Sequence, residues 1–317
     1  MRRVPWLFGV ALLVVVILAV RHVSEARDFA RLSQQAQPWW LLLAVALQAG
    51  TYLSQGQVYR MIAHVSRMTL GLFRAARLSL TKLFVDQAIP SGGLSGTVVV
   101  AGALQREGIP RRVVAAGIVV DFAGNYASYV LCLVVALALM TGRGQSSVII
   151  LVSALLFVLF AVGSTVLLLA LAGRGAIAAP RWVGRVRLVT AALDFVRDAE
   201  PRVARSRGLI FQAATYHLVI LLCDTATIWV LIRAFGGHGS PEGVFASFMI
   251  SSLLRQVAFV PGGLGTFEAA SVVTLKLAGV PVALGLAATL VFRGLSFWLP
   301  MLPGLWFWRR EITRSAA

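Results

Sequence analysis

Residues 260–266 read Val-Pro-Gly-Gly-Leu-Gly-Thr, and residues 89–97 read Ile-Pro-Ser-Gly-Gly-Leu-Ser-Gly-Thr. Each stretch interrupts an apolar segment, the first within about 244–278 and the second within about 76–104. Proline lacks the N–H that a helix needs and clashes with the preceding turn, while adjacent glycines favour non-helical backbone. Each segment therefore predicts two short helices joined by a loop. At about 1.5 Å per residue, most of these arms cannot cross a hydrocarbon core of ~30 Å, so we predict two re-entrant hairpins.

The rest of the chain is also strongly apolar. Of its 317 residues 59% are hydrophobic and 13% are charged, whereas soluble domains have about 45–50% and 25%. Six further segments predict full transmembrane helices, at 4–20, 38–59, 113–140, 148–172, 208–235 and 282–308. The longest polar stretch, 173–207, has 35 residues and is too short for an independent catalytic domain. We therefore predict an all-α polytopic membrane protein without a soluble enzymatic domain.

The charge distribution orients this protein in a bilayer. The net charge is +17, and the basic residues cluster in short loops between apolar segments. That distribution fits anionic lipid headgroups better than nucleic acid. The positive-inside rule places the basic blocks 60–82, 106–112, 174–207 and 309–314, and both termini, in the cytoplasm of a multi-pass cell-membrane protein. Segment 4–20 resembles a signal peptide in charge and length, but without a convincing cleavage site we expect it to remain as the first span.

The long basic loop contains a short helical pattern. Val186, Val189, Leu193 and Val196 follow helical spacing among charged residues. This predicts an amphipathic helix on the cytoplasmic leaflet or, equally, a solvated linker helix. The two cysteines and four histidines lie in separate segments without ligand spacing, so we expect no disulfide, metal or other cofactor.

The two broken segments share a second landmark. Twenty residues after each proline the chain reads Gly-Ile-Pro at 108–110 and Gly-Val-Pro at 279–281. The paired landmarks predict a duplication into repeats 1–140 and 141–317. Because each repeat holds three spans, the second is predicted to insert inverted, as in transporters whose broken helices meet near the midplane and form the site. The simpler alternative is that Pro-Gly-Gly only ends a helix.

Seven charges are predicted to lie in the hydrocarbon core. Each costs about 2.5–3.5 kcal/mol at the centre of a lipid-exposed helix, so they should face one another or a wet cavity. Lys82 and Asp86 are four residues apart and predict a local pair. Asp121 and Arg293 have similar predicted depths, which indicates an ion pair between the halves. Asp224 shares a helical face with His217 and is interpreted as structural.

Two further charges lie beside the second loop. Glu268 is in the first turn of the returning arm, where the helix dipole favours a carboxylate. Arg255 lies six residues before Pro261, near the hairpin tip, where it could reach a phosphate. The predicted substrate site comprises these charges and the loops, with no catalytic residue: Lys82, Asp86, Pro90, Gly92, Gly93, Asp121, Arg255, Pro261, Gly262, Gly263, Gly265, Glu268 and Arg293.

The second half resembles a known membrane family. Residues 260–268, Val-Pro-Gly-Gly-Leu-Gly-Thr-Phe-Glu, followed by Gly-Val-Pro and the span with Arg293, resemble the membrane domain of the lysylphosphatidylglycerol synthetase/flippase family. That resemblance implies movement of an aminoacylated phospholipid between leaflets, and archaeal relatives imply polyprenyl-phosphate-linked sugars. The chain departs from the family in lacking the soluble aminoacyltransferase domain and in having Gly96-Thr97 where members often carry an acidic residue and arginine.

The expected function is therefore transport of a phosphate-containing lipid. Its partners would be membrane lipids with anionic or zwitterionic headgroups, and a second copy or a lipid-synthesis enzyme. Two alternatives come from other classes: an intramembrane enzyme acting on a lipid phosphate, which would need a nucleophile or acid–base pair, and a scaffold for envelope lipid synthesis.

Overall fold

A computed structural model describes residues 36–89, 93–142, 144, 148–174, 187–257 and 263–316. Segment 4–20 and the loop residues Pro90, Gly92, Pro261 and Gly262 lie outside this part of the chain. The secondary structure in these ranges is helical, with a π-helical segment at Gly294–Trp298. The α-helices are α1 Pro38–Val65, α2 Leu72–Ala88, α3 Leu94–Arg106, α4 Arg111–Gly142, α5 Val148–Leu171, α6 Arg187–Arg197, α7 Pro201–Ala204, α8 Arg207–Ala234, α9 Pro241–Val257, α10 Thr266–Leu277, α11 Val282–Arg293 and α12 Leu299–Ala316.

Four helices in the described part of the chain are long and apolar enough to cross a membrane. They are Arg111–Gly142, Ile150–Leu171, Arg207–Ala234 and Val282–Glu311, which coincide with four of the predicted spans. Helix α1, with 28 residues, has sufficient length but is less apolar because one of its faces carries amides and tyrosines. The protein is thus an all-helical membrane protein, while six full spans remain a prediction.

Each broken segment forms two short helices, as predicted. The arms α2 and α3 have 17 and 13 residues, and α9 and α10 have 17 and 12. Arg74, near the start of α2, pairs with Glu107 after the end of α3 at 2.7 Å, so these arms run antiparallel. The returning arms are only about 18–20 Å long, which is shorter than a ~30 Å hydrocarbon core. Their entry into the membrane from opposite sides remains a prediction.

The two halves of the chain have similar helix lengths in the same order. Helices α1 and α8 each have 28 residues, and each is followed by a 17-residue arm and a shorter return. A long segment then closes each half, α4 in the first and α11 to α12 in the second. This order supports the proposed duplication, whose boundaries and inversion the structure leaves as predictions.

The centre of the molecule is built from α1, α4 and α8, which touch through small residues. A side chain at Gly124 of α4 would overlap Ala213 of α8, and one at Gly117 would overlap Ile62 of α1. Small residues at such crossings let membrane helices approach closely. Each half also packs against the broken segment of the other. Helix α12 of the second half contacts α2 of the first, and α4 of the first half contacts α9 of the second.

The last span contains a π-helical segment directly after Arg293. Pro300 lacks the N–H that would bond to a carbonyl one turn earlier. The hydroxyl of Tyr52 on α1 lies 3.4 Å from the carbonyl oxygens of Leu295 and Ser296 and donates to them instead. A side chain from the first half thus supports the π-helical segment in the second, and sequence patterning did not predict this segment.

The basic loop contains the predicted short helix, α6. At its C-terminal end Phe195 and Val196 pack against α4 and α5, with Ala116 and Ala172 among their neighbours. Protein thus covers the apolar side of these two residues, while the position of this helix on the cytoplasmic leaflet stays a prediction. Arg205 anchors the same region by donating to the carbonyl of Leu169 near the end of α5.

Candidate functional site

The turn of the second hairpin is organised by Glu268. One carboxylate oxygen accepts a hydrogen bond from the Gly265 N–H at 2.7 Å, which caps α10, as its predicted position in the first turn suggested. The other oxygen pairs with Arg293 Nε at 2.8 Å. Gly265 has φ 84°, a left-handed backbone conformation that residues other than glycine rarely adopt. Glu268 therefore fixes both the hairpin turn and its contact with the last span.

Arg293 has a different partner from the one predicted. Its guanidinium pairs with Glu268 and lies over the rings of Phe297 and Phe267, at 4.4 Å and 5.6 Å from their centroids. Asp121 is engaged elsewhere, so the predicted Asp121–Arg293 ion pair is wrong. Matching depth did not imply matching orientation, because each side chain faces a different helix.

Asp121 of α4 pairs with His217 of α8. The distance from Oδ1 to Nε2 is 2.7 Å, and both side chains are largely buried. Gln55 of α1 donates to the same oxygen from 3.4 Å. Asp121 and His217 each lie ten residues after the first residue of their helix, or about 15 Å along it. This polar contact therefore lies about a third of the way along both helices, where α1, α4 and α8 meet.

The first hairpin has its own carboxylate at the turn. Lys82 Nζ and Asp86 Oδ2 are 2.9 Å apart, which confirms the predicted local pair. Asp86 Oδ1 also accepts a hydrogen bond from the Gly96 N–H at 2.8 Å, linking the two arms. Gly93, the cap of α3, has φ 87°. Both hairpin turns thus combine a left-handed glycine, a carboxylate bonded to a backbone amide, and a cation paired with that carboxylate.

Asp224 does not share a contact with His217, although the two residues lie on one helix. It accepts a hydrogen bond from Gln48 Nε2 of α1 at 2.9 Å, and the same nitrogen lies 3.0 Å from the Thr227 hydroxyl. Gln48 is 3% exposed, so this contact is buried between α1 and α8. The structural interpretation of Asp224 fits this arrangement.

A polar face on α1 connects these contacts, and the sequence analysis missed it. Gln48, Tyr52, Gln55 and Tyr59 follow one another at spacings of four, three and four, which places them on one side of a helix. Gln48 contacts Asp224, Tyr52 contacts the π-helical segment, and Gln55 contacts Asp121. The signal was present in the sequence, but these uncharged side chains were not considered among the candidate residues.

Arg255 forms no ion pair with any carboxylate in the described part of the chain. It is half-buried on α9, and its charge acts on Asp224 and on Arg293, so the three lie around one region. Its aliphatic stem fills the space beside Gly263, where a Cβ would overlap it. Gly263 has φ 62°, so only glycine suits both the turn and this approach.

A second unpredicted cluster lies at the end of α12. Glu311 is 3% exposed and pairs with Arg74 and Arg106, which lie at the bases of the two arms of the first hairpin. The end of the last helix is therefore bound to both arms. Only the three-dimensional structure shows this contact, because 205 or more residues separate the partners along the chain.

The family model for the lysylphosphatidylglycerol synthase TM region matches residues 6–304 of this chain. The chain belongs to this family. The match covers both hairpins, the polar face of α1 and the paired charges at both turns, so these features lie within the family domain.

Curated relatives match a smaller part. The chain is similar to a UPF0104 membrane protein of Methanothermobacter thermautotrophicus, with 25% identity over 113 residues, 36% of this chain and 33% of that protein. A UPF0104 membrane protein of Pyrococcus horikoshii is 25% identical over 103 residues, 32% of this chain and 31% of the relative. The chain thus spans about a third of the length of the curated relatives it matches.

Proposed function

We propose that this protein moves a phosphate-containing membrane lipid between leaflets. Membership of the lysylphosphatidylglycerol synthase transmembrane family supports a role connected with membrane lipids. Two pairs of short helical arms, each joined by a Pro-Gly-Gly type sequence, support a site at membrane depth, since irregular backbone is tolerated there only against protein or a water-filled cavity. The lipid headgroup would enter between the hairpins while its acyl chains stay in the bilayer.

Arg255 carries this proposal. An arginine at membrane depth is costly unless a partner neutralises it, and no carboxylate pairs with Arg255 in the described part of the chain. Its guanidinium presents a planar set of donors that suits a phosphate. The neighbouring Asp224 and the Glu268–Arg293 pair would favour an amine or hydroxyls on the same headgroup. We therefore assign the phosphate to Arg255 and give Arg293 the role of holding Glu268.

More than one class of membrane lipid carries such a phosphate. Aminoacyl-phosphatidylglycerol and polyprenyl-phosphate-linked lipids both present a phosphate beside polar groups, and both fit this charge arrangement. Alternate exposure of the site to the two leaflets would follow from movement between the two halves, as in transporters with inverted repeats.

Lipid movement in proteoliposomes tests the proposal. Fluorescent phosphatidylglycerol would be followed by quenching from the outside, with the wild-type chain and the Arg255→Gln variant. Loss of one charge-assisted hydrogen bond costs about 1.5–3 kcal/mol, so we expect movement to slow about tenfold to a hundredfold. Arg111→Gln is the matched control, because Arg111 is exposed, pairs with Asp198 at 3.0 Å and lies over the ring of Phe195. Unchanged lipid movement in a folded Arg255→Gln protein would refute the phosphate assignment.

A further inference from the structure

The Asp121–His217 pair has no role in binding the headgroup as proposed above. It lies between α4 of the first half and α8 of the second, and both residues are about 15 Å from the starts of their helices. The starts of both helices belong to basic blocks predicted to be cytoplasmic. Counted from those blocks, the pair lies well inside a ~30 Å core. Ionisable side chains at this depth are costly to maintain and commonly mark ion or proton pathways.

The neighbours of the pair form a polar route towards the first hairpin. Tyr59 of α1 is 2% exposed, and its hydroxyl lies within reach of the Gln55 side chain, which also donates to Asp121. The charges of Asp121 and of Asp86 both act on this hydroxyl. Polar side chains of α1 thus lie near both carboxylates. Asp86 is partly exposed at the hairpin turn and completes the route.

Polar, titratable and charged groups lie around the pair on three helices. Helix α1 contributes Gln55 and Tyr59, and α2 contributes Lys82, whose charge acts on Asp121. On α8 itself Tyr216 adjoins His217, and the next carboxylate, Asp224, is two turns away and bonded to Gln48. The cation from another helix that acts on Asp121 is thus Lys82, which already pairs with Asp86.

We propose that Asp121 and His217 form a proton-binding site that couples lipid movement to a pH gradient. With Asp121 ionised, the carboxylate only accepts, so His217 Nε2–H donates to Oδ1 and the Nδ1 lone pair is free to take up a proton. Uptake changes the pair from a net charge of −1 to 0. Histidine changes charge between pH 5 and 8 without special tuning. Because the pair joins the two halves, its charge biases how they pack against each other.

A pH gradient across proteoliposomes tests the coupling, which rests on the proposed lipid movement. Vesicles of phosphatidylethanolamine with a trace of fluorescent phosphatidylglycerol would carry a difference of about one pH unit. One coupled proton should shift the leaflet ratio of the fluorescent lipid by up to about tenfold. His217→Gln and Asp121→Asn should move the lipid to the same ratio with or without the gradient. Asp198→Asn, at an exposed pair, should behave as wild type.

A second measurement keeps the two proposals separate. In a chain whose other histidines are replaced by glutamine, nitrogen NMR of His217 reports its protonation directly in lipid vesicles. We expect the His217 signals to change with pH in the wild type, and this change to be altered in Asp121→Asn, since the opposing charge is lost. If the wild type moves no lipid, the proposed function fails and a titrating His217 still supports the proton site. A non-titrating His217, or lipid movement insensitive to the gradient, overturns the coupling.

Discussion

Glu268 serves two partners with one carboxylate, the Gly265 amide and the Arg293 guanidinium. Arg293 is 7% exposed, so replacing it with methionine would leave the partly buried carboxylate of Glu268 without its cation. Breaking one side of such a pair costs about 3–5 kcal/mol. We expect Arg293→Met to lower the folded yield and the thermal midpoint in detergent, as measured by size-exclusion chromatography and a melting assay.

A double variant tests whether Glu268 is the partner of Arg293. Glutamine at position 268 keeps an oxygen for the Gly265 amide but removes the charge, so Arg293→Met with Glu268→Gln should recover most of the lost yield. The exposed Arg111–Asp198 pair is the control, because surface pairs contribute about 0–1 kcal/mol. If Asp121→Asn rescued Arg293→Met instead, the ion pair seen here would be wrong.

Single-residue contacts differ in how far the sequence could predict them. The Lys82–Asp86 pair was predictable, because a spacing of four on one helix is a local rule. The partner of Arg293 was not, since counting residues along a helix gives depth but does not give the direction in which a side chain points. For the same reason Asp121 was assigned to the wrong helix, although its depth matches that of His217.

The first hairpin depends on the closeness of its two arms. A Cβ at Gly96 would overlap the Lys82 carbonyl oxygen and the Asp86 carboxylate, whereas one at Gly102 on the same helix meets only the end of Arg106. Replacing each of these two glycines with alanine should therefore affect the thermal midpoint differently. We expect Gly96→Ala to lower the thermal midpoint and Gly102→Ala to leave it unchanged or raise it, since alanine in a helix is favoured by about 1 kcal/mol. Equal effects would show that the arms are not in contact at Gly96.

The breaks in the hairpins could be predicted, whereas the π-helical segment of the last span could not. Pro-Gly-Gly disrupts a helix through backbone chemistry that acts within a few residues. The π-helical segment at Gly294–Trp298 instead depends on the Tyr52 hydroxyl, which is more than 240 residues away along the chain. Structural features supported by another helix need the tertiary fold before they can be inferred.

Orientation in the membrane is a property of the whole molecule, and surface labelling measures it. Arg202, on the short helix α7, and His238 are both exposed and lie beyond opposite ends of α8. In a chain with Cys132 and Cys223 replaced, Arg202→Cys should react only with reagent on the cytoplasmic side and His238→Cys only with reagent outside. The arginine-rich loop sets this expectation. Reaction of both from one side would contradict an odd number of crossings between them and with it the inverted arrangement of the halves.

The contact between Gly124 and Ala213 limits how the two halves can move. A slide of α8 along α4 by one residue, about 1.5 Å, would bring bulkier side chains into a gap that has no room for a methyl group. It would also pull apart Asp121 and His217, which lie one turn away. A swing about that crossing leaves the contact almost unchanged, so displacement is smallest there and grows towards the two membrane surfaces. The close approach of Gly124 and Ala213 would thus serve as the pivot of the proposed movement between the two halves.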